Sequence, residues 1–520
     1  MRATSLGHAG ILVRTRQASI VCDPWFEPAF FGSWFPFPRN DQLNGELLAE
    51  LERPSYLYIS HQHADHLDET WLARHIAKST PVLLPDFATR ELERQLGQLG
   101  FTNFIRTRDG EEIELDSGLR IAIHVESSIT DGPGGDSAIV ISDGESRLVN
   151  QNDCRPHDIA ALRSHGPVDM HWLQFSGAIW YPMVYEEPLD QLMVLARAKV
   201  ESQFSRALHY VSAIGARVVV PSAGPPCFLD DELFGLNMIT GNELSIFPDQ
   251  TEFIRRLRKA GNDSGVSTIP GSTIEIEPDS IHVVHPTSDE LVLQPFDDKA
   301  AYLRAYQTDW APWLTAHKAS WPTAKTDLVT TLQSWWQPLL AMAPTLRGMI
   351  DSGCVLDVGD LKIYIDFVNG TVEEFRGQQF RFRFTIQRPL VEAVVLARTV
   401  DWSNSLFLSC RFSAWREGEF NEYLYNFFKS LSVERMRRAE EEAVRRSLPQ
   451  PEDLEEIELG DYVMQRHCPH RQADLSIFGE IHGDQLVCTL HGWRFSLKDG
   501  RCLNSEDRHL RVRTVIHRPD

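Results

Sequence analysis

A chain of 520 residues is too long for one hydrophobic core and points to about three domains. With 42% hydrophobic and 24% charged residues it has an ordinary globular composition, and its formal net charge of −22 argues against a nucleic-acid backbone or an anionic membrane surface as partner. No apolar run approaches the ~18 residues of a membrane span, the opening "MRATSLGHAGILV" lacks the pattern of a signal peptide, and the eight scattered cysteines do not suggest a disulfide framework, so the expectation is a cytoplasmic protein.

From residue 1 to about 290, short β-branched runs such as "GILVRT", "ASIVCDP", "YLYISH", "AIVISD" and "ARVVVPSAG" alternate with segments of helical period such as "ATRELERQLGQLG". Several of these strands end at Asp, His or Gly, the usual place for a site at the carboxyl ends of a sheet. The run "YLYISHQHADHLD" carries His61, His63, Asp65 and His66 directly after an apolar strand. In an extended loop His61 and His63 point the same way and can clasp one metal, leaving Asp65 and His66 to face a second position close by. So many ligand groups are costly to desolvate unless a cation compensates.

From 295 to 430 the texture changes to Trp-rich helices, "YLRAYQTDWAPWL" and "LVTTLQSWWQPLLAMA", followed by alternating strands, which reads as an α+β middle domain. Residues 431–449 read as a solvated, highly charged helix and linker. The final segment, 450–520, is too small to bury much core without a staple, which a metal centre would supply. Within it, Cys468 and His470 form one mixed pair and Cys488 and His491 another. Two thiolates and two imidazoles suit a binuclear iron cluster with one iron held by sulfur and the other by nitrogen. A zinc site with the same residue types is the alternative, although zinc fingers usually group two cysteines in one knuckle and two histidines in the other.

"CPH" at 468–470 and "CTLHGW" at 488–493 resemble the Rieske [2Fe-2S] family. Ala473 and Leu490 stand where high-potential members of that family carry an extra disulfide, so the resemblance implies the lower-potential ferredoxin and oxygenase type, a small all-β domain that passes single electrons. The upstream H-x-H-x-D-H resembles the metallo-β-lactamase superfamily, with "LGHAGILV" and "VCDPW" similar to its lactonase and phosphodiesterase branch. That resemblance implies an αββα sandwich over residues 1–290, a third histidine ligand for which His124 is the candidate, and a bridging acid for which Asp153 is the candidate. The family's last histidine ligand is missing: "VVVPSAGPPCF" has Pro221, Ser222 and Ala223 there, and His209 precedes it on a helix.

"NQNDCRPH", "FSGAIWYPM" and "VVPSAGPPCF" resemble the CMP-N-acetylneuraminate hydroxylases, which join the same two parts with the cluster at the other end of the chain. "TVDWSNSLFLSCRF" and the Trp-rich helices resemble the sterol-carrier-like domain of alkylsulfatases.

An electron-transfer domain is superfluous to metal-assisted hydrolysis. The leading expectation is therefore an iron-dependent monooxygenase acting on a small molecule. Cys468, His470, Cys488 and His491 would bind the cluster, and His61, His63, Asp65, His66, His124 and Asp153 the non-haem iron, with Asp65 and His66 also as proton donors. An external ferredoxin, flavin reductase or cytochrome would supply electrons, and the sequence leaves a homo-oligomer open. The alternative is a zinc hydrolase of the lactonase or phosphodiesterase type with an appended redox domain. His8 could line the pocket, as could Trp25, Phe26, Trp180 and Tyr181, although aromatic residues more often belong to a core.

Overall fold

Strand Gly10–Arg14 turns Ile11 and Val13 to one face and Leu12 to the other, and strand Arg120–Glu126 does the same with Ile121 and Ile123 against Ala122. Both faces of each strand are apolar because each sheet is covered twice. In the computed structural model, which describes residues 1–128, 134–239, 244–448, 453–504 and 508–515, these strands belong to two stacked sheets.

The first sheet has eight strands, ordered Ile281–Val284, Thr273–Ile276, Arg2–Gly7, Gly10–Arg14, Ser19–Cys22, Tyr56–Tyr58, Val82–Leu84 and Phe104–Arg106. The second has six, ordered Val218–Ser222, Met170–Gln174, Arg147–Asn152, Asp136–Ser142, Arg120–Glu126 and Ile113–Glu114. Ile11, Ile20, Tyr58, Ile123, Ile139, Leu148 and Trp172 fill the space between them. Helices Gly45–Leu51, Glu69–His75 and Glu91–Gln98 cover one outer face, and Ile159–Ser164, Leu189–Ile214 and Gln250–Lys259 the other. This is the αββα sandwich of the metallo-β-lactamase fold.

The middle unit is a five-stranded sheet, ordered Thr371–Glu374, Lys362–Asp366, Gly353–Asp357, Phe382–Ile386 and Phe412–Arg416. Helices Leu328–Ala341, Arg388–Leu396, Glu422–Phe428 and Val433–Ser447 share its core through Trp336, Val391, Val394, Phe428, Met436 and Ala439. The last two strand triplets of the chain are Glu456–Leu459, Tyr462–Gln465 and Val512–Thr514, and Gly479–His482, Gln485–Cys488 and Trp493–Ser496. Among the described residues no helix is long and apolar enough to cross a membrane.

Two features differ from the sequence reading. Helix Lys299–Ala319, assigned to the middle domain by its tryptophans, packs Leu303, Tyr306 and Leu314 onto Phe35, Phe37 and Cys227 of the sandwich. Helix Val433–Ser447 is not a free solvated helix: Arg435, Met436, Ala439 and Ala443 are buried in one face. Of the linker after it, residues 449–452 lie outside the described residues. Trp25 and Trp180 are core residues, 0% and 4% exposed.

Asp68 ties the first metal-ligand loop to its neighbour. Its Oδ1 caps helix Glu69–His75 by accepting from Trp71 N at 2.9 Å, while Oδ2 accepts from Phe26 N and Glu27 N at 2.9 and 2.8 Å. Asp68→Ala removes a cap and two loop bonds together, and should cost at least the ~1 kcal/mol of an ordinary cap, read as a lower denaturant midpoint.

Candidate metal centre and cluster site

Strand Tyr56–Tyr58 delivers His61, His63, Asp65 and His66 to the rim of the sandwich, where Asp23 follows strand Ser19–Cys22 and Asp153 follows strand Arg147–Asn152. Asp23 and Asn152 both have positive φ, 43° and 44°, so each chain turns sharply as it leaves its strand. Asp23 organises the site without reaching its centre. Its Oδ1 accepts from Ser60 N at 2.7 Å, and its Oδ2 accepts from Ser60 Oγ at 2.6 Å and lies 3.0 Å from His66 Nδ1. Ser60 Oγ is in turn 2.9 Å from His61 Nδ1. With their Nδ1 atoms held from behind, His61 and His66 present Nε2 to the front, which is how second-layer carboxylates commonly orient metal-binding imidazoles.

The front atoms form two groups. His61, His63 and Asp153 bring one donor atom each within 4.8 Å of one another, and so do His8, Asp65 and His66. The groups adjoin, since His66 Nε2 lies 3.4 Å from Asp153 Oδ1 and 3.9 Å from Asp65 Oδ2. His66 Nε2, Asp65 Oδ1 and Asp153 Oδ1 are all buried with no hydrogen-bond partner. Burial works against a charge on both His66 and Asp65. Asp153 and Asp65 nevertheless hold the His66 imidazole well above its usual range, while Asp136, desolvated and beside Asp153, is pushed up. Four carboxylates, Asp23, Asp65, Asp136 and Asp153, thus converge on one small volume with buried imidazoles among them. Orphaned ligand atoms in such a set fit a cation held by nitrogen and oxygen.

His124 is not part of it. Ile121 and Ile123 face the space between the sheets, so His124 points to the helical layer, where its Nε2 lies 2.9 Å from His165 Nε2. Strand parity therefore removes the expected third histidine. The sequence reading also undervalued His8, which sits at φ 52° in the turn between the first two strands with Nε2 3.1 Å from Asp65 Oδ2. His8 completes the second donor group from the opposite end of the domain, while Ser222 ends strand Val218–Ser222 without a histidine after it. The second position is altered rather than incomplete. Asp136, 3.3 Å from His61 Nδ1, was not singled out from the sequence at all, because nothing in "GGDSAIV" marks it as more than a strand start. Asp23→Ala should weaken metal binding by roughly 10–100-fold, measured as retained metal per chain after dialysis against a chelator.

At the other end of the chain, Cys468 and Cys488 are both fully buried, and His470 and His491 lie with ring centroids 5.0 Å apart. Gln472 N donates to Cys468 O and Gly492 N to Cys488 O, closing two turns whose Gln472 and Gly492 have φ of 60° and 75°. A side chain at position 492 would be strained by that backbone, which accounts for the glycine of "HGW". His470 stacks on Trp493 at 4.0 Å, and its buried Nδ1 has no hydrogen-bond partner. Burial pushes its imidazole down to about 3, so it is neutral, as a ligand must be.

Residues 456–514 match the Rieske [2Fe-2S] domain family, and residues 328–445 match the Rv3818-like, SCP2-like domain family. The Rieske 2Fe-2S iron-sulfur protein Rv3818 of Mycobacterium tuberculosis (strain H37Rv) is 42% identical over 519 residues, covering 98% of this chain and 99% of its own. The chain belongs to this family of Rieske iron-sulfur proteins. The cytidine monophosphate-N-acetylneuraminic acid hydroxylase of Cricetulus griseus is 24% identical over 335 residues, 61% of this chain and 55% of that one. Among solved structures, CmlA, a diiron β-hydroxylase from Streptomyces venezuelae, aligns with TM-score 0.35 and 19% identity over 55% of this chain and 54% of its own.

The Rieske donor set fits its cluster: two sulfurs and two imidazoles lie in facing turns, and no disulfide joins the turns, because none of the eight cysteines is disulfide-bonded. Both cluster turns rest on the rest of the chain. Thr489 Oγ1 lies 3.0 Å from His209 Nδ1 on helix Leu189–Ile214, which also packs Tyr210 against Phe478. His470 Nε2 faces Glu422 Oε2 of the middle unit at 3.7 Å.

Proposed function

We propose that this chain is an iron-dependent oxygenase in which a Rieske cluster held by Cys468, His470, Cys488 and His491 serves a non-haem iron site built from His61, His63 and Asp153 and from His8, Asp65 and His66. One observation carries the reading: helix Val433–Ser447 touches both sites. At one end Arg435 contacts Gln62, which stands between His61 and His63, and at the other Arg446 pairs with Glu422, which faces His470. The hydroxylase named among the relatives, and the redundancy of an electron-transfer domain in a hydrolase, support the same direction.

When bound, a Rieske cluster supplies electrons singly, and iron held by imidazole and carboxylate activates oxygen. Everything else falls to the protein. Ser60 and Asp23 aim His61 and His66, and the burial of His61, Asp65 and His66 keeps bulk water off the donors. Asp65 Oδ2 lies 3.1 Å from His8 Nε2 and 3.9 Å from His66 Nε2, a carboxylate placed to take up and pass on a proton beside the donor atoms. Inserting one oxygen atom into a substrate and reducing the other to water consumes two electrons and two protons. The one-electron Rieske site must therefore be recharged by an external donor of the ferredoxin, flavin reductase or cytochrome type.

Metal analysis with electron paramagnetic resonance tests this reading. The expected result is iron in excess of the two atoms of the cluster, with a non-haem iron signal that disappears in His61→Ala. Zinc at full occupancy in the N-terminal site would contradict it and favour a hydrolase.

A further inference from the structure

We propose that Glu422 is a positioning residue that clamps the His470 edge of the Rieske site to the middle unit of the same chain, so that electrons pass within one chain rather than by a swinging domain or a neighbouring subunit. The inference rests on the proposed oxygenase reading for where the electron goes, and on geometry for the clamp.

Glu422 opens helix Glu422–Phe428, and its side chain is only 6% exposed. Oε1 is paired with Arg446, while Oε2 lies 3.7 Å from His470 Nε2 and 4.0 Å from Arg471. The carboxylate is thus enclosed between a cluster ligand and a buried arginine, a costly place for a charge unless both sides are satisfied. Arg446 is itself held, with Nε donating to Glu442 Oε1 at 2.5 Å, so the clamp is braced on helix Val433–Ser447. Eleven residues along that helix, roughly 17 Å at 1.5 Å per residue, Arg435 donates to Glu91 Oε2 at 2.7 Å and to Asp401 Oδ2 at 3.0 Å and reaches Gln62. A second contact fixes the other cluster turn, because Thr489 meets His209 on the sandwich. Both turns that carry cluster ligands are therefore fastened to their own chain. The transfer would move one electron from the cluster that Cys468, His470, Cys488 and His491 would hold to the iron that the His61, His63 and Asp153 site would hold, oxidising the first and reducing the second by one electron.

The test uses the full chain with its cluster, reduced by dithionite. A buried negative charge beside His470 opposes addition of an electron, so Glu422→Gln should raise the midpoint potential by at least the equivalent of a tenfold change in the redox equilibrium, 59 mV for one electron. Glu422→Asp keeps the charge and should stay near the wild-type potential. Amide hydrogen exchange at residues 468–472 should rise in Glu422→Gln, and reoxidation of the cluster in the iron-loaded wild-type protein should not depend on protein concentration. An unchanged potential in Glu422→Gln, the same shift in Glu422→Asp, or reoxidation proportional to concentration would overturn the clamp. Zinc in the N-terminal site would sink only the oxygenase reading, since the potential and exchange measurements still report on Glu422.

Discussion

Cys468→Ser should strip the chain of its Rieske cluster while leaving the N-terminal metal in place. The Cys468 and Cys488 sulfurs face each other in a fully buried pocket, and an oxygen in place of one is a poor ligand for iron that its partner holds through sulfur. Changes to residues that only support a ligand typically cost 10–100-fold, so loss of a ligand itself should cost more than about 100-fold in substrate turnover. The visible absorption and the paramagnetic signal of the reduced cluster should vanish, and the metal content proposed for the His61, His63 and Asp153 site should stay at its wild-type amount. If turnover survives the loss of the cluster, the electrons do not come from it.

Arg435→Ala carries the second large effect, this time on stability. The guanidinium is 5% exposed and is held by Glu91, Asp401, the carbonyl of Lys429 and Gln62, so it joins the sandwich to the middle unit at the metal loop. Truncation removes the guanidinium that bonds the carboxylates of both Glu91 and Asp401, and breaking a buried pair from one side costs about 3–5 kcal/mol. That is a large share of the ~5–15 kcal/mol that holds a typical domain folded. The change should appear as a matching fall in unfolding free energy from denaturant titration, with weaker metal retention because Gln62 lies between His61 and His63. Arg435→Lys, which keeps the charge but loses the planar fork, should recover only part of it. A loss below about 0.5 kcal/mol, the range of an ordinary surface change, would show that the network contributes little.

What the sequence disclosed and what it hid follow from distance along the chain. The run His61, His63, Asp65, His66 is legible because four donors in six residues have few other uses, and the pairs at 468–470 and 488–491 because mixed Cys/His spacing is specific. Asp153 was legible as the residue ending a strand, since strand ends form the rim of such sheets. His124 ends no strand, and its parity depends on which face of Arg120–Glu126 meets the other sheet. Every residue from Ile121 to Ile123 is apolar, so the sequence holds no alternation to read. His8 lies 57 residues from Asp65 in the chain, and only the closure of the first hairpin over the metal loop brings them within 3.1 Å. "LGHAG" was the available signal, and it reads equally well as a plain turn. Glu422 was hidden for a different reason: its role exists only where one domain meets another, and a lone glutamate at a helix start looks like an ordinary favourable charge near the helix N-terminus. The charged helix was misread because its surface of Glu and Arg masks a narrow buried face of Met436, Ala439 and Ala443.

The most direct measurement of the central claim is rapid mixing of the dithionite-reduced protein with oxygen, following the cluster by its visible absorption. If the Rieske site feeds the N-terminal metal, the cluster should reoxidise at least ten times faster in the iron-loaded protein than in a His61→Ala, His63→Ala double variant that keeps the cluster. Equal rates in the two proteins would mean that the cluster loses its electron directly to oxygen, and would contradict the coupling of the two sites.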